Sequence, residues 1–338
     1  MLSQSTACID AIVIVELAGE GRRPVTQYIV KRLLFSVVVI FAISLIVFSA
    51  VRVIPGDVCA IVVGDRVTPE QCAAIEERLG LDQPAPRQYM SWVGGIARGD
   101  FGTSLDQNRA VWPEIRKRIP VTVQLTLLST LFAVAVALPI GVYSAARQDR
   151  FADYFLRIIT IGWLSIPNFW LGVMLILLLS TWFGYVSPLG YAHPWDDLST
   201  NLQQHALAAF ALGLALSASI ARITRSAMLE VLRQDYIRTA RAKGLRESLV
   251  INRHALRNAL IPVITLFALQ FGVLFGGTVI IETVFNIPGL GRLLLRSVLL
   301  KDYPMVQGLV LLFAVVLVTI NLIVDISYAW LDPRIRYS

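Results

Sequence analysis

Six long runs of uncharged, mostly apolar residues limit what this chain can fold into. Runs of more than about 18 such residues are long enough to cross the hydrocarbon core of a bilayer as helices. Inside lipid, each backbone N–H and C=O needs a partner within the protein, and an α-helix supplies one. The sequence therefore predicts an all-α polytopic membrane protein with six transmembrane helices. The runs are residues 33–51, 121–146, 158–185, 198–221, 258–281 and 303–324.

The composition and the positions of the basic residues agree with this prediction. The chain is 56% hydrophobic and 16% charged, whereas about a quarter of the residues of a soluble domain are charged. With the N-terminus inside, 18 of the 30 Lys and Arg lie on the cytoplasmic side, nine of them between Arg222 and Arg257. Lys and Arg are enriched in cytoplasmic loops, so both termini are predicted to be cytoplasmic. The same bias explains the net charge of +7 without a nucleic-acid partner, and no nucleic-acid-binding motif occurs.

The runs divide the chain into four predicted segments. The first is a cytoplasmic tail, because its apolar stretch is short and lacks the basic residues that begin a signal peptide. A first transmembrane helix with a long external loop follows, then a five-helix core that contains a cytoplasmic loop at 222–258, then a second tail. The boundaries are 1–26, 27–119, 120–330 and 331–338.

The first external loop is too long for a simple connection and is predicted to contain short helices. Thr68, Pro69 and Glu70 are typical of a helix start, with Pro at the first helical position. Tyr89 and Trp92 share one face of a second predicted helix, and residues 99–102 (GDFG) predict a turn after it.

Two cysteines, Cys59 and Cys72, lie in this external loop, 13 positions apart. On the outer side of a membrane they are in a compartment where disulfides form. A bridge would stabilise the loop by about 3 kcal/mol, and two unpaired thiols are the open alternative.

Polar residues interrupt several apolar runs. Pro167 and Asn168 fall inside the third run, where proline removes a helix hydrogen bond and predicts a kink. Such breaks lie next to a cavity or a neighbouring helix that satisfies the freed backbone groups. Gln124, Gln270 and Glu282 are, with them, candidates for lining a transport pathway. Hydrogen bonding between helices is the alternative role for each.

The cytoplasmic loop at 222–258 carries the pattern of a short amphipathic helix. Leu229, Leu232, Tyr236 and Ala240 are spaced by three and four, which places them on one helical face. Gly244 is expected to end the helix. The loop is predicted to present a narrow helix at 236–243 to a groove on a partner, followed by a second helical stretch at 246–260. A solvated basic loop is the alternative.

The chain lacks the motifs of catalysis and of cofactor binding. No phosphate-binding loop of the form GxxxxGK occurs, and the three histidines and three cysteines lack metal-ligand spacing. We therefore predict no catalytic, cofactor-binding or metal site, and ATP-driven transport would need its nucleotide site in another chain.

A series of motifs, in order along the chain, resembles those of one family of transporters. The cytoplasmic loop resembles the "EAA" coupling loop of binding-protein-dependent ABC importer permeases. RTARAKGL at 238–245 stands where that motif lies and is typical of the dipeptide and oligopeptide branch, in its first permease subunit. The other seven motifs are RVIPGD at 52–57, LGLDQP at 79–84, GDFGTS at 99–104, SIPNF at 165–169, ETVFNIPGLG at 282–291, DYP at 302–304 and DPRIRY at 332–337.

The resemblance implies a type I importer permease in a bacterial inner or plasma membrane. Such a chain pairs with a second, homologous permease, two ATPase subunits that use ATP and Mg²⁺, and an external solute-binding protein. The coupling helix would lie in a groove of an ATPase. The residues that the resemblance assigns to that contact are Tyr236, Arg238, Thr239, Ala240, Arg241, Lys243 and Gly244.

The substrate that the resemblance implies is a short peptide, and nickel, glutathione or an oligosaccharide are its alternatives within the same branch. A self-sufficient secondary transporter is the competing interpretation. It predicts an inverted repeat and intramembrane acidic residues, whereas the sequence shows no convincing repeat and its spans are almost free of charge.

Overall fold

The computed structural model describes residues 25–53, 70, 82–188 and 190–331, and these residues are almost entirely helical. The helices are α1 (Val25–Val53), α2 (Ala85–Ala97), α3 (Val111–Ala146), α4 (Phe151–Ser165), α5 (Asn168–Phe183), α6 (Leu198–Leu232), α7 (Asp235–Ala242), α8 (Glu247–Leu249), α9 (Leu256–Val284), α10 (Leu290–Leu299) and α11 (Tyr303–Leu331). One turn of π-helix, Val250–Ala255, joins α8 to α9.

Some predicted features lie outside the described residues. They are Cys59 and Cys72 with their possible disulfide, the helix start at Thr68, most of the N-terminal tail, and the C-terminal tail after Leu331.

Within the described part of the chain, four helices are long and apolar enough to cross a membrane: α1, α3, α6 and α11. The bent pair α4 and α5 is a fifth candidate span. The predicted span at 258–281 lies within the 29-residue helix α9. The all-helical, membrane-spanning fold predicted from the apolar runs is confirmed.

Helices α3 and α6 pack against each other and form the centre of the bundle. Glycines permit the contact: a Cβ on Gly141 would lie 2.7 Å from the carbonyl oxygen of Ala221, and one on Gly213 would lie 2.6 Å from that of Ser129. Small residues let two helix backbones approach closely, which is how helices associate where no hydrophobic effect drives them together.

The third predicted span is not one kinked helix. α4 ends at Ser165, Ile166 is extended, and α5 begins at Asn168 at an angle of 96° to α4. The physical reason lies in Pro167, because a residue before proline is disfavoured in the helical region. Proline therefore ends one helix here and begins another.

The cytoplasmic loop predicted at 222–258 is mostly helix. α6 continues through the basic residues to Leu232, and at 35 residues it is about 50 Å long, well beyond the ~30 Å of a hydrocarbon core. The prediction also placed Leu229 and Leu232 on the same helix as Tyr236. The structure divides them, because the chain turns at Arg233 and Gln234 before α7 begins.

On the external side, α2 packs on α1 through the predicted aromatic face. The rings of Tyr89 and Trp92 lie 5.2 and 5.9 Å from the ring of Phe48. The predicted turn follows, with Gly99 and Gly102 at φ +83° and +81°. At the other end of α1, Arg32 pairs with Asp325 of α11 at 2.9 Å.

Candidate functional site

The short helix α7 lies against the cytoplasmic ends of the long helices. Ile237 and Ala240 point inward and are 0% and 8% exposed. They pack in one apolar cluster with Met228 of α6 and with Val250 and Ala255 of the π turn. The opposite face of α7 is exposed, so the helix has one face fixed to this chain and one face open to a partner.

The C-terminus of α7 ends in a Schellman motif. Gly244 lies at φ +77°, its N–H donates to the carbonyl of Arg241 at 2.9 Å, and the N–H of Leu245 donates to that of Ala240 at 3.4 Å. The side chain of Leu245 packs on the same apolar cluster. A left-handed residue is required here, which glycine adopts without strain, so Gly244 sets the direction in which the chain leaves α7.

Two side-chain contacts tie α7 to the helices that follow it. Asn258 of α9 donates to the Tyr236 hydroxyl at 2.7 Å. The Arg241 guanidinium donates to both carboxylate oxygens of Glu247, at 3.1 and 2.7 Å. The hydrogen bond from Arg241 lowers the pKa of the Glu247 carboxyl below its usual value.

The structure corrects one of the predicted docking residues. Ala240 faces the chain's own apolar cluster and is not available to a partner, whereas Ala242 is exposed. The spacing placed Ala240 on one face with Leu232 and Tyr236, and of that face Ala240 is buried whereas Tyr236 is exposed. The predicted docking residues that are exposed are Tyr236, Arg238, Thr239, Arg241, Lys243 and Gly244.

A buried ion pair at the cytoplasmic end of the bundle was not predicted from the sequence. Arg225 of α6 donates to both oxygens of Asp153 at the start of α4, at 2.8 and 2.6 Å. The Ser144 hydroxyl at the end of α3 donates to the same carboxylate. Arg225 was the available signal, because a charged residue just beyond an apolar run needs a partner when it is buried.

Four of the predicted pathway residues differ in their exposure and in their hydrogen-bond partners. Gln124 accepts a hydrogen bond from the Tyr191 hydroxyl at 3.0 Å and donates to Asn201. Pro167 is exposed at the break between α4 and α5, and Asn168 and Gln270 are half-buried. Within the described residues, no hydrogen bond joins any two of these four side chains.

The fifth, Glu282, lies in the protein interior rather than on a pathway surface. Its side chain is fully buried. Thr122 of α3 donates to one carboxyl oxygen at 2.6 Å, and the backbone N–H of Arg292 donates to the other at 2.9 Å. Because the first N–H groups of a helix lack partners within it, Glu282 caps the N-terminus of α10 from the end of α9.

This cap explains the glycines of the ETVFNIPGLG motif. A Cβ on Gly289 would lie 2.3 Å from the carboxyl carbon of Glu282, and one on Gly291 would lie 2.5 Å from Cα of Val279. Cα of Val279 is part of the helix backbone, and hydrogen bonds hold the Glu282 carboxyl group, so neither atom moves aside easily. Glycine is therefore needed for the start of α10 to approach the end of α9.

Two further motifs meet on the external side. The hydroxyl of Ser104, which ends GDFGTS, donates to Asp302 of DYP. The N–H of Leu105 donates to the other oxygen of Asp302 at 3.0 Å. The two motifs thus fix the end of the long external loop to the start of α11.

Comparison with known proteins shows which family has this arrangement. The chain matches the family model described as "Binding-protein-dependent transport system inner membrane component" over residues 137–337. It also matches the N-terminal model of the same systems over residues 25–126. The chain belongs to this family of ABC importer permeases. The resemblance seen in the sequence motifs is confirmed.

Curated relatives match this permease over almost their whole length. The glutathione transport system permease protein GsiC of Shigella boydii serotype 4 (strain Sb227) is 40% identical over 312 residues, which cover 92% of this chain and 99% of the relative. GsiC of Escherichia coli (strain K12) matches to the same extent. A solved structure, "Crystal structure of an amino acid ABC transporter with histidines", aligns at 17% identity and a TM-score of 0.44 over 63% of this chain and 95% of the other.

The permease is thus a non-catalytic, membrane-spanning subunit of a multicomponent ABC importer. Its relatives are inner-membrane components, and the ATPase activity of such importers belongs to partner chains. The predictions of an importer permease and of an inner-membrane location are confirmed.

Proposed function

We propose that this permease forms half of a pathway for short peptides, together with a second, homologous permease. Two ATPase subunits bind ATP and Mg²⁺ on the cytoplasmic side, and an external solute-binding protein delivers the substrate. The motifs typical of the peptide branch support the substrate class. Glutathione, itself a tripeptide, is the first substrate to test, because relatives 40% identical to this chain are named glutathione permeases.

The observation that carries the proposal is the two-faced position of α7. Its inner face is packed against α6 and the π turn, and its side chains are bonded to α8 and α9. An ATPase that binds the exposed face and moves would therefore move the ends of two long helices with it. ATP can shift the equilibrium between the two conformational states of the permease only by the difference in its binding free energy for those states. Because α7 is held firmly, that free energy difference is transmitted to the long helices.

Bulk added to the exposed face tests the docking role. We expect Ala242→Trp to abolish ATP-dependent uptake by the reconstituted importer and to release the ATPases during purification, because the side chain would fill the contact. Ala97→Trp, the same change at an exposed position on the external helix α2, is the matched control. Normal uptake by Ala242→Trp would refute the docking role.

A change of direction at the end of α7 tests the same role by another route. Gly244→Pro forces φ to about −65° where the chain has +77°. We expect the variant to insert into the membrane but to transport nothing. Gly244→Asn, which tolerates the left-handed conformation, should keep most of the activity, and equal loss in both variants would count against the geometric explanation.

The substrate class is tested with the complete importer and its own solute-binding protein. Proteoliposomes should take up radiolabelled tripeptides or glutathione only when ATP is supplied to the ATPase side. Uptake of nickel or of an oligosaccharide with no uptake of peptide would contradict the proposed class and leave the importer assignment intact.

A further inference from the structure

Three external elements meet around a cavity of about 640 Å³. The first is the start of α3, the second is the segment between α5 and α6, which contributes Tyr191 and His193, and the third is the connection between α9 and α10, which contributes Pro288. Sites for small organic ligands occupy about 300–1,000 Å³. The cavity is therefore large enough for a short peptide or a major part of one.

Apolar atoms make up most of the lining, and basic side chains border it. Trp112 and Tyr191 supply aromatic rings, and the consecutive residues Arg116, Lys117 and Arg118 supply the cations. A smaller neighbouring cavity of about 190 Å³ shares Arg118 and Pro288 and adds Arg292 and Arg296. The two cavities form one positively charged region at the external end of the bundle.

Some of these cations are neutralised within the chain and others are not. Arg118 pairs with Glu114 at 2.7 Å, and Arg296 pairs with Asp106 at 3.0 Å. Among the residues that the structure describes, no carboxylate forms an ion pair with Arg116, Lys117 or Arg292. The region therefore has positive charge left to bind an anion.

Hydrogen bonds hold the second wall of the cavity in place. The Tyr191 hydroxyl donates to Gln124 of α3 at 3.0 Å. Asn201 of α6 donates to the carbonyl of Ala192 at 2.6 Å, and the N–H of Ala192 donates to Gln204 at 2.9 Å. The backbone and ring are thus fixed before any ligand arrives, which lowers the entropy cost of binding.

We propose that this cavity is an external subsite that holds a short peptide by its C-terminal carboxylate before translocation. Arg116 and Lys117 form charge-assisted hydrogen bonds to the carboxylate, and Trp112 and Tyr191 contact the apolar part of the peptide. The proposal rests on the proposed transport of peptides and adds the group by which the permease recognises them.

Equilibrium binding to the complete importer tests the subsite. The complex is held in nanodiscs without ATP and without the solute-binding protein, and binding of radiolabelled trialanine is compared with that of its C-terminal amide. We expect the free acid to bind at least tenfold more tightly. Arg116→Gln and Lys117→Gln should each weaken binding of the acid about tenfold and leave binding of the amide unchanged, as expected for loss of a hydrogen bond to a charged group.

Arg87→Gln is the matched control, because Arg87 is an exposed external arginine on α2, outside both cavities. Its affinity for trialanine should equal that of the unaltered importer. Equal binding of acid and amide would overturn the proposal. So would a loss in Arg87→Gln as large as that in Arg116→Gln, because the effect would then be general to external positive charge.

Two further outcomes distinguish a peptide subsite from a protein-docking surface and from a site for small anions. If Arg116→Gln weakens association of the solute-binding protein while the preference for acid over amide persists, the region is a protein-docking surface and the subsite is refuted. If the importer transports no peptide but binds succinate through Arg116, the anion subsite stands and the peptide assignment fails.

Discussion

The two ends of the helix bundle hold buried carboxyl groups with different donors. At the cytoplasmic end, Asp153 is held by the guanidinium of Arg225, which reaches it from another long helix. At the external end, Glu282 and Asp302 are held by hydroxyl groups of Thr122 and Ser104 and by backbone N–H groups. Among the described residues, no Lys or Arg side chain forms an ion pair with Glu282 or Asp302, whereas Glu114, a further buried carboxyl group at this end, pairs with Arg118.

The difference indicates different structural roles. The ion pair joins two helices, α4 and α6, at the end of the bundle where α7 packs, so each partner depends on the charge of the other. The external groups instead fix connections: Glu282 caps the start of α10, and Asp302 holds the end of the long external loop. The external end is thus fastened through the backbone, which keeps the wall segments of the proposed subsite in place.

Exchange of a carboxyl group for its amide isostere is the sharpest test of this difference, and its largest effect is expected at the ion pair. Asp153→Asn keeps the size of the side chain and leaves Arg225, 20% exposed, without its counter-charge. Loss of one partner of a buried pair costs about 3–5 kcal/mol of folding stability. Because Arg225 is partly exposed, we expect a loss at the lower end of that range, about 3 kcal/mol. The measurement is unfolding of the purified importer in mixed micelles.

A neighbouring aspartate provides the control for that variant. Asp149 is exposed and lies at φ +61°, a conformation that asparagine tolerates well. Asp149→Asn should unfold within about 0.5 kcal/mol of the unaltered protein. If both variants lose the same stability, the effect belongs to the local charge of the segment and the buried pair has no special role.

Glu282→Gln should cost less than Asp153→Asn, about 1 kcal/mol. The amide oxygen can still accept from the N–H of Arg292, and the amide nitrogen can donate to the Thr122 hydroxyl. Glu282→Ala removes both acceptors and leaves buried donors unpaired, at about 1–3 kcal/mol each. The same unfolding assay compares Glu282→Gln, Glu282→Ala and Asp153→Asn. If Glu282→Gln lost as much stability as Asp153→Asn, the proposed difference between the two ends of the bundle would be refuted.

The sequence predicted the parts of this molecule that local pattern determines. The apolar runs indicated the spans, and Gly244 after an amphipathic stretch indicated the end of α7. The prediction failed for Ala240, which the resemblance assigned to the contact with a partner although it faces the core. The spacing had grouped Ala240 with Leu229 and Leu232 on the apolar face of an amphipathic helix, and such a face packs against the rest of the protein.

The long-range contacts could not be predicted from the sequence, for a different reason. Asp153 and Arg225 are 72 positions apart, and Thr122 and Glu282 are 160 apart. Spacing along one sequence reports only neighbours on the same helix, so it named Glu282 as a polar residue in need of a role and indicated no partner for it. Its burial became visible only when α3, α9 and α10 were placed together.

The smallest effect on stability is expected at the ion pair of Arg241 and Glu247, which is exposed at the surface, unlike the buried groups. Their side chains are 42% and 55% exposed, and exposed pairs contribute about 0.2–1 kcal/mol. Arg241 lowers the pKa of Glu247 in the folded protein. The stabilisation is therefore complete above the unfolded pKa of about 4.3, and it is lost as the pH falls through the folded pKa.

Amide hydrogen exchange of residues 235–244, followed from pH 7 down to pH 3 and corrected for the intrinsic rate, measures that loss. Glu247→Gln should remove the pH dependence that the pair causes, and about 1 M salt should reduce it, because the Debye length is then about 3 Å. Asp235→Asn is the control, since Asp235 is 95% exposed and contacts Arg238 only at 3.4 Å. A pH dependence that persists in Glu247→Gln would mean that another group ties α7 to the bundle, and the exposed pair would then add nothing to the coupling segment.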